Sequence, residues 1–424
     1  MSIKEIKQLK NLKEISLKLP TSKSLTQRAL ICSALSKGVS QIINPLISED
    51  TLLLKSALEN IGVNIKENKN IWEIKGKYPP LLLEKRIYLG NNGTGARFFL
   101  ALASLGKGSY VEIYGKPRLH ERPMGPLIKT LRDLSAHIEC LEKEGFLPIR
   151  IKESQLISKE VFLPGNISSQ FISALLLIGP YLPDGLEIQI EGELISKAYI
   201  NLTIEVMKTY GIEVKSFENK FKVFPGTYKS ISYEVEADAS NASYFLAIPL
   251  ILGKGTIIIE NYNVLSKQGD VKFLEYIKKM GADIEVLNPL GVKVRFEGIP
   301  KGAEIDLGDT PDLFPSMCVL GAVAEGKTFL KGAPHLRYKE TDRIKAMVTE
   351  LRKLGVKAEE LPDGAIIEGT TNFTPALINT YDDHRIAMSF AILGLKTGNI
   401  KIENPECVAK SFPNFWDYIE KLYG

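Results

Sequence analysis

The sequence is poor in the residues that build metal clusters and disulfide frameworks. Its 424 residues include only four cysteines and four histidines. Closely paired cysteines are the usual sign of a zinc site or of a disulfide framework, and none of the four belongs to a CxxC pair. The cysteines therefore predict neither kind of site, and we expect no bound metal.

Long apolar runs are missing as well. No stretch reaches eighteen consecutive apolar residues, which is about the length of a membrane-spanning helix. The opening residues, MSIKEIKQLKNLKEISLKLP, lack the apolar centre of a signal peptide, and they contain glutamate but no arginine, unlike an organellar transit peptide. We therefore expect a cytoplasmic protein without a membrane partner.

A strong excess of one charge is also absent. Lysine plus arginine total 54 and aspartate plus glutamate total 50, so the net charge is +4. Because proteins that bind nucleic acid usually concentrate lysine and arginine in one stretch or patch, we expect no nucleic-acid partner. A local basic pocket for a small anion remains open.

What the sequence does contain is one pattern repeated six times. In each copy a short polar cluster opens an apolar helix, and the copies begin at Ser22, Gly93, Ser168, Ser240, Asp312 and His384. The starts lie about 71 to 75 residues apart, a regularity typical of repeat architectures. The polar residues at the head of each helix differ between copies, as expected for a symmetric scaffold that carries an asymmetric site.

Each copy also predicts a second helix and several short strands. The second helices are predicted to start near Glu49, Arg122, Ser196, Ser266, Glu340 and Lys410. Strands that alternate with helices indicate an α/β fold, and first helices that are apolar all round are typical of buried helices. Six units divide naturally into two groups of three. The segments LPTSK and VEADAS mark two crossings, which predict lobes of residues 1–22 plus 237–424 and 23–236.

Several helix heads carry residues suited to anions. Lys23, Ser24 and Arg28 stand at the first head, and helix N-termini attract negative charge, so a lysine there needs another reason. Ser168 and Ser169 with Gln170 form either a phosphate cradle or plain N-caps. The glycine-rich turn from Gly90 suits a phosphate or carboxylate, and a tight turn without a ligand is the alternative.

The densest charged cluster is LRYKETDR, which contains Arg337, Lys339, Glu340, Asp342 and Arg343. A salt-bridged surface turn is the simple alternative. A hydrogen bond to a charged group contributes about 1.5 to 3 kcal/mol, against about 0.3 to 1 kcal/mol for a charge at a helix terminus. Converging cations would therefore dominate the binding of a small polyanion with more than one phosphate or carboxylate.

Taken in order, ten segments resemble the 5-enolpyruvylshikimate-3-phosphate synthase family of enolpyruvyl transferases. They are SKSLTQRA, LGNNGTGAR, ERPMGPL, ISSQF, SKAYI, ADASNASYF, PDLFP, KETDR, DDHRIAM and AKSFP. The resemblance extends from Leu19 to Lys410. It implies a two-lobed inside-out α/β barrel of six βαβαββ repeats, three per lobe, with helices inside and the active site in the interlobe cleft. We expect a monomer.

The resemblance also implies the reaction. The enolpyruvyl group of phosphoenolpyruvate passes to the 5-hydroxyl of shikimate-3-phosphate, and phosphate leaves by addition and elimination through a tetrahedral intermediate. The pathway is that of chorismate and the aromatic amino acids. The resemblance implies no cofactor.

The family's functional residues map onto positions of this sequence. The implied catalytic residues are Asp312 as base, with Glu340 and Lys23 sharing proton transfer at the enol methylene. The implied contacts of shikimate-3-phosphate are Lys23, Ser24, Arg28, Ser168, Ser169, Gln170, Ser196, Tyr199, Asp312, His335 and Lys339. The implied contacts of phosphoenolpyruvate are Lys23, Asn91, Gly93, Thr94, Arg122, Gln170, Arg343, Arg385 and Lys410.

Some positions depart from the family pattern. His335 stands where the family often has asparagine, and an imidazole can still hydrogen-bond a ring hydroxyl. Asn92 and Gly95 vary the usual turn beside phosphoenolpyruvate. Because Gly93 is present, we expect sensitivity to glyphosate, a mimic of that substrate. His384 is not assigned a role in proton transfer.

Three other functions are considered. The sister enolpyruvyl transferase, which acts on UDP-N-acetylglucosamine, usually has a reactive cysteine where this chain reads YGKPRLHERP, which contains none. A non-enzymatic repeat protein that binds partners or nucleic acid would not need carboxylates such as Asp312 and Glu340 beside basic heads. An RNA-modifying enzyme on a similar repeated fold should have a more basic surface.

Overall fold

The computed structural model describes residues 2–424. Within them the chain forms 25 strands, namely β1 (Ile3–Ile6), β2 (Ile15–Leu17), β3 (Val39–Ile43), β4 (Asn64–Asn68), β5 (Ile71–Lys75), β6 (Leu81–Leu82), β7 (Lys85–Tyr88), β8 (Lys107–Gly108), β9 (Tyr110–Tyr114), β10 (His137–Cys140), β11 (Ile149–Lys152), β12 (Glu160–Pro164), β13 (Leu186–Glu191), β14 (Val214–Ser216), β15 (Lys220–Val223), β16 (Ser232–Glu234), β17 (Lys254–Ile259), β18 (Asp283–Val286), β19 (Val292–Glu297), β20 (Glu304–Asp306), β21 (Lys327–Lys331), β22 (Lys357–Leu361), β23 (Gly364–Glu368), β24 (Ala376–Ile378) and β25 (Ile400–Glu403).

The same residues form fourteen α-helices, namely α1 (Lys23–Leu35), α2 (Glu49–Glu59), α3 (Gly93–Ala103), α4 (Pro117–Glu121), α5 (Gly125–Asp133), α6 (Ser169–Ile178), α7 (Lys197–Thr209), α8 (Ala239–Leu246), α9 (Ile248–Leu252), α10 (Phe273–Lys279), α11 (Phe314–Val323), α12 (Arg343–Lys353), α13 (His384–Thr397) and α14 (Phe415–Lys421). Short 3-10 helices cover Gly179–Tyr181, Gly269–Lys272, Pro311–Leu313, Pro334–Tyr338 and Pro405–Lys410. Among the described residues, no helix combines the length and the apolarity needed to cross a bilayer.

The chain forms two compact units. The first unit combines the described residues up to Pro20 with Glu236–Gly424, and the second unit is Thr21–Val235. The predicted crossings, at 22/23 and 236/237, lie two residues and one residue later along the chain than these divisions. Each unit has a hydrophobic core of its own.

Small sheets of one design recur in both units. Five sheets have four strands in the orders β16-β3-β5-β4, β10-β11-β9-β7, β12-β13-β15-β14, β18-β19-β17-β2 and β20-β21-β23-β22. Each contains one parallel pair, and its other pairs are antiparallel. A three-stranded sheet, β1-β25-β24, also has one parallel pair. A parallel pair needs a crossover connection, and α3, α6, α11 and α13 supply four of these crossovers.

A two-stranded sheet pairs β6 with β8 in parallel. In the six larger sheets, the remaining two parallel pairs join strands from distant parts of the chain. Strand β2 runs into α1, yet it pairs with β17, which follows α9. Strand β16 runs into α8, yet it pairs with β3, which follows α1. These exchanged strands explain why the chain divides near Pro20 and Val235, because each crossing leaves its strand in the unit that the chain is leaving.

The first helix of each repeat is buried, as its composition predicts. All ten residues of α11 and the first twelve residues of α13 are buried. The strands alternate instead, so that in β13 every second residue is buried. This alternation is the pattern of a sheet with one face on a core and one face in solvent.

Several second helices begin later than predicted. Arg122 ends the short helix α4 in an extended conformation, and α5 starts only at Gly125, because a residue that precedes proline is disfavoured in the helical region. The helix predicted near Ser266 begins as a 3-10 turn at Gly269, and Asp342 rather than Glu340 caps α12. Lys410 closes a 3-10 helix, and α14 starts at Phe415.

Candidate active site

In the second unit, the head of α1 holds a buried ion pair. Lys23 Nζ lies 3.0 Å from Asp50 Oδ2 at the start of α2, and the Asp50 carboxylate is only 3% exposed. A lysine in the first turn is unfavourable because its charge opposes the helix dipole. The Asp50 carboxylate offsets this cost, and it is the additional reason that the sequence predicted for Lys23. Ser22 caps the helix through its side chain.

Arg28 is buried among neutral oxygen atoms. Its guanidinium donates to Ser24 Oγ at 2.6 Å, to Thr203 Oγ1 at 2.8 Å and to the Tyr199 carbonyl at 3.1 Å. Burial lowers the pKa of Arg28 to about 10, because removing the charged form from water is costly. An anion beside Arg28 would offset that cost, so the geometry suits the binding of a substrate carboxylate.

The glycine-rich turn packs directly under Arg122. A Cβ atom built at Gly93 would lie 2.4 Å from Arg122 Cζ, closer than any two such atoms can approach. Arg122 is 3% exposed, and its Nη1 donates to the Asn91 carbonyl at 3.2 Å. The turn is fixed by Asn92, whose Oδ1 accepts from Gly95 N at 2.8 Å and whose Nδ2 donates to the Asp50 carbonyl at 2.8 Å.

Gln170 connects the heads of α3 and α6. Its Nε2 donates to Thr94 Oγ1 at 2.9 Å, and its Oε1 accepts from Arg97. Arg97 also donates to the Pro123 carbonyl at 3.0 Å. Ser168 is the N-cap of α6, and its Oγ accepts from Gln170 N at 3.3 Å. Ser168 therefore caps its helix, as one of the two predicted alternatives states, and Ser169 is the first residue of that helix.

Ser196 occupies the N-cap position of α7 with left-handed backbone angles, φ 54° and ψ 37°. That region is uncommon for residues other than glycine, and such outliers cluster at functional sites. Ser196 is 3% exposed, and its carbonyl accepts from Tyr199 N at 3.1 Å. Of the predicted contacts, Lys23, Ser24, Arg28, Asn91, Gly93, Thr94, Arg122, Ser168, Ser169, Gln170, Ser196 and Tyr199 all lie in this unit.

In the first unit, Arg343 is the centre of an ion network. Its Nε lies 2.7 Å from Asp383 Oδ2, and its Nη2 lies 2.7 Å from Glu340 Oε2. Its Nη1 lies 2.9 Å from Asp312 Oδ1. The Arg343 side chain is 1% exposed. Burial acts to lower the pKa of Arg343, but the three carboxylates outweigh burial and raise that pKa above its usual value.

Asp312 is shared by two arginines. Arg385 Nη2 lies 2.8 Å from Asp312 Oδ2, on the other carboxylate oxygen from Arg343. Burial acts to raise the pKa of Asp312. The nearby cations outweigh burial, Arg385 most strongly and then Lys339 and Arg343, so the pKa is held below its usual range. In this arrangement Asp312 is an ionised carboxylate.

Of the remaining predicted contacts of this unit, His335 and Lys410 are buried, and Lys339 is partly exposed. His335 is 4% exposed, and burial together with Lys339 lowers its pKa to about 3, so its imidazole is neutral. A neutral imidazole offers one donor and one acceptor, which suits a hydroxyl group. Lys410 is 4% exposed at the end of its 3-10 helix. Among residues 2–424, no group of three or more histidine, cysteine, aspartate or glutamate side chains could hold a metal ion.

The chain was compared with known proteins. The family model of EPSP synthase (3-phosphoshikimate 1-carboxyvinyltransferase) matches residues 6–419. The chain belongs to the EPSP synthase family. The protein named 3-phosphoshikimate 1-carboxyvinyltransferase of Methanocaldococcus jannaschii is 40% identical over 414 residues, which are 96% of this chain and 95% of that protein. The protein of the same name from Trichormus variabilis is 37% identical and covers 97% of both chains.

Solved structures agree with the family. EPSP synthase from Acinetobacter baumannii superposes with a TM-score of 0.82 at 27% identity, covering 99% of this chain and 98% of that chain. The predicted α/β class is confirmed, and the chain is a member of a transferase family.

Sequence reasoning left three buried partners of this EPSP synthase family site unassigned. Asp50 pairs with Lys23, Arg97 donates to Gln170, and Asp383 joins Arg343 to the head of α13. Asp383 also caps α13, because its Oδ1 accepts from Arg385 N at 2.9 Å. The available signal was their position near residues that were assigned: Asp383 is the N-cap of α13, Asp50 is the second residue of α2, and Arg97 is the fifth residue of α3.

We predict that Gly93→Ala weakens the binding of phosphoenolpyruvate. The added methyl meets the Arg122 guanidinium, so Arg122 must move away from its present position. The loss of about one hydrogen bond to a charged group, about 1.5 to 3 kcal/mol, corresponds to a KM for phosphoenolpyruvate that rises roughly 10- to 100-fold. Steady-state kinetics with varied phosphoenolpyruvate measure this change.

Gly125→Ala is the matched control, because its added Cβ would lie 3.6 Å from the nearest atom, Gly145 Cα, which is ordinary contact. That variant should keep the KM of the unaltered protein. Equal values of KM in the two glycine variants would contradict a special role for Gly93.

We also predict that His335→Asn reduces the sensitivity of folding to acid. His335 has a pKa of about 3 in the folded protein and about 6.5 when unfolded, so between these values only the unfolded chain binds the proton. Stability contributed by the neutral imidazole is therefore lost as pH falls from 6.5 towards 3, at up to about 1.4 kcal/mol per pH unit.

Denaturant titrations of the free energy of unfolding at pH 6.5, 5.5 and 4.5 test this sign. His335→Asn should lose less stability than the unaltered protein over that interval. His137→Asn, at an imidazole exposed to solvent, should follow the unaltered protein. Parallel curves for all three proteins would contradict the prediction.

Proposed function

We propose that this chain transfers the enolpyruvyl group of phosphoenolpyruvate to the 5-hydroxyl of shikimate-3-phosphate and releases phosphate. The observation that carries the proposal is the match to the family model over residues 6–419. The buried network of Asp312, Glu340, Arg343 and Arg385 supports it, because it combines proton-accepting carboxylates with anion-binding arginines. The finer architecture is proposed to be the two-lobed inside-out α/β barrel.

The chemistry balances without a further reactant. The 5-oxygen forms a bond to C2 of phosphoenolpyruvate while its proton passes to a base and C3 gains a proton. The tetrahedral adduct then loses a proton from C3 and phosphate from C2, which regenerates the enol double bond. A carboxylate within hydrogen-bond reach of a hydroxyl is a suitable general base, and Asp312 takes that role in the proposal.

Shikimate-3-phosphate is assigned mainly to the second unit. Arg28, with its neutral partners and lowered pKa, receives the carboxylate together with Ser24. Ser168, Ser169 and Ser196 surround the phosphate, with Lys339 as its cation. Gln170, Tyr199 and the neutral His335 contact the remainder of the sugar-like ring. Lys23 contacts both substrates.

Phosphoenolpyruvate is assigned to arginines and lysines. A planar guanidinium pairs with carboxylate or phosphate through two contacts at once, so Arg122, Arg343 and Arg385 are suited to this substrate. Lys410 adds a further cation, and the turn of Asn91, Gly93 and Thr94 adds neutral contacts. Glu340, which touches Arg343 at 2.7 Å, exchanges the methylene proton together with Lys23.

The ion pairs of Asp312 lower its basicity, and the binding of phosphoenolpyruvate would restore part of it. A carboxylate whose pKa is held low by Arg385, Lys339 and Arg343 is a weak base. Phosphoenolpyruvate brings its own carboxylate and phosphate to the same guanidinium groups, so it competes with Asp312 for them. Asp312 thereby loses part of its compensation, and its pKa rises towards the range useful for catalysis.

Phosphate release from the purified protein tests the reaction. We expect release only when shikimate-3-phosphate and phosphoenolpyruvate are both present. Release with UDP-N-acetylglucosamine and phosphoenolpyruvate, and none with the shikimate pair, would assign the chain to the sister activity instead. We further propose a cytoplasmic monomer that binds neither nucleic acid nor membranes and is inhibited by glyphosate in competition with phosphoenolpyruvate.

The competition for arginine predicts an unusual phenotype for Asp312→Asn. Loss of the general base should lower kcat by about 100-fold or more. Loss of the internal carboxylate should at the same time tighten the binding of phosphoenolpyruvate about tenfold, close to 1.4 kcal/mol. Calorimetric titration of phosphoenolpyruvate measures the affinity, and phosphate release measures kcat.

Asp309→Asn is the charge-matched control, because Asp309 forms an exposed ion pair with Lys272 at 3.1 Å. It should leave both quantities within about twofold, as exposed ion pairs contribute about 0 to 1 kcal/mol. Weaker binding of phosphoenolpyruvate by Asp312→Asn would show that Asp312 assists this substrate rather than competing with it.

A further inference from the structure

Two adjacent residues before α13 have left-handed backbone angles although neither is glycine. Tyr381 has φ 54° and Asp382 has φ 55°, and Asp383 follows them directly. Among the described residues this is the only pair of neighbouring non-glycine residues with positive φ. Such a conformation is unfavourable for an L-residue with a large side chain, and it persists only where the surroundings impose it.

Glu350 supplies much of that constraint. Its side chain is fully buried on α12, and its Oε1 accepts from the Tyr381 hydroxyl at 2.8 Å. Its Oε2 accepts from Asn379 N at 3.1 Å and from Lys353 Nζ at 2.7 Å. Asn379 Oδ1 in turn accepts from Tyr381 N at 2.8 Å. The carboxylate therefore fixes both the side chain and the backbone of the turn at 379–382.

The turn at 379–382 touches three segments that carry cations of the proposed phosphoenolpyruvate site. Glu350 lies seven residues after Arg343, two helical turns along the same face of α12. Asp383 and Arg385 follow the turn at the head of α13. Asp382 Oδ1 accepts from Asn404 Nδ2 at 3.2 Å, and Asn404 precedes the 3-10 helix that ends at Lys410.

We propose that Glu350 and Tyr381 are positioning residues. They hold Arg343, Arg385 and Lys410 in the relative positions that the binding of phosphoenolpyruvate requires. This inference rests on the proposed function, since it assigns those three cations to one substrate. Helix α12 is attached twice: Arg343 binds Asp383 on one side of the turn, and Glu350 binds Tyr381 within it. Two attachments fix both the position and the rotation of the head of α13, which a single ion pair would not.

Tyr381→Phe is the sharpest variant, because it removes one hydroxyl and keeps the ring. We expect KM for phosphoenolpyruvate to rise at least fivefold while KM for shikimate-3-phosphate stays within twofold. Glu350→Gln should give a larger rise, because its amide presents a donor to at least one of the three donors now bound by the carboxylate. Direct titration of phosphoenolpyruvate should show the same loss of affinity without turnover.

Tyr418→Phe is the matched control. Its hydroxyl donates to the Lys18 carbonyl at 2.6 Å in the same unit, so the variant loses a tyrosine hydroxyl hydrogen bond that involves neither Glu350 nor residues 379–382. It should lower the thermal midpoint by a similar amount and leave both KM values unchanged. A Tyr381→Phe protein with the KM values of this control, or with both KM values raised alike, would overturn the positioning role.

The proposed reaction and the positioning role of the turn can be disproved separately. If the unaltered protein releases no phosphate with the shikimate pair, the proposed reaction is wrong, and the titration of phosphoenolpyruvate still decides the role of the turn. If release occurs but Tyr381→Phe binds phosphoenolpyruvate as tightly as the unaltered protein, the reaction stands and the positioning role is wrong.

Discussion

The arrangement of the first unit's site depends on one buried guanidinium. Arg343 places its three nitrogens against the carboxylates of Asp312, Glu340 and Asp383, and it is almost completely removed from solvent. Removing one partner of such a buried pair costs about 3 to 5 kcal/mol, because the other charge is left uncompensated. The charges thus define one geometry for the segments that carry them: the 3-10 turn before α11, the head of α12 and the head of α13.

Arg28 in the second unit has neutral partners instead. Arg28 donates to hydroxyl and carbonyl oxygens, which orient a guanidinium without neutralising it. Such a site has already lost the solvation of its charge in the folded protein, so an incoming anion gains more than it would from an exposed arginine. Arg343 and Arg385 are thus paired with carboxylates of their own unit, whereas the hydrogen-bond partners of Arg28 are neutral.

The sequence predicts the repeated part of this fold well, because the repeat is local. Apolar helices such as α11 follow from composition alone, and the head of α13 at His384 is predicted at the right residue. The predicted start of a helix is wrong where a proline follows the predicted first residue, as Pro123 follows Arg122. The exchange of β2 and β16 between sheets is not visible in the sequence, since strand partners are chosen by the whole chain. The same limit applies to Asp50 and Asp383, whose partners come from other helix heads.

The repeats also show how one scaffold carries ion pairs of opposite orientation, with the cation and the carboxylate exchanged between the first and second helices. In the first copy the cation stands on the first helix, as Lys23, and its carboxylate partner Asp50 begins the second helix. In the fifth copy the carboxylate Asp312 precedes the first helix, and its cation Arg343 begins the second. The two pairs join equivalent ends of equivalent helices with the signs reversed. Because a carboxylate is favoured at a helix N-terminus and a cation is not, Lys23 and Arg343 both stand where a nearby carboxylate offsets an unfavourable position. Arg343 is compensated by three carboxylates, and one of them is Asp312, the proposed base.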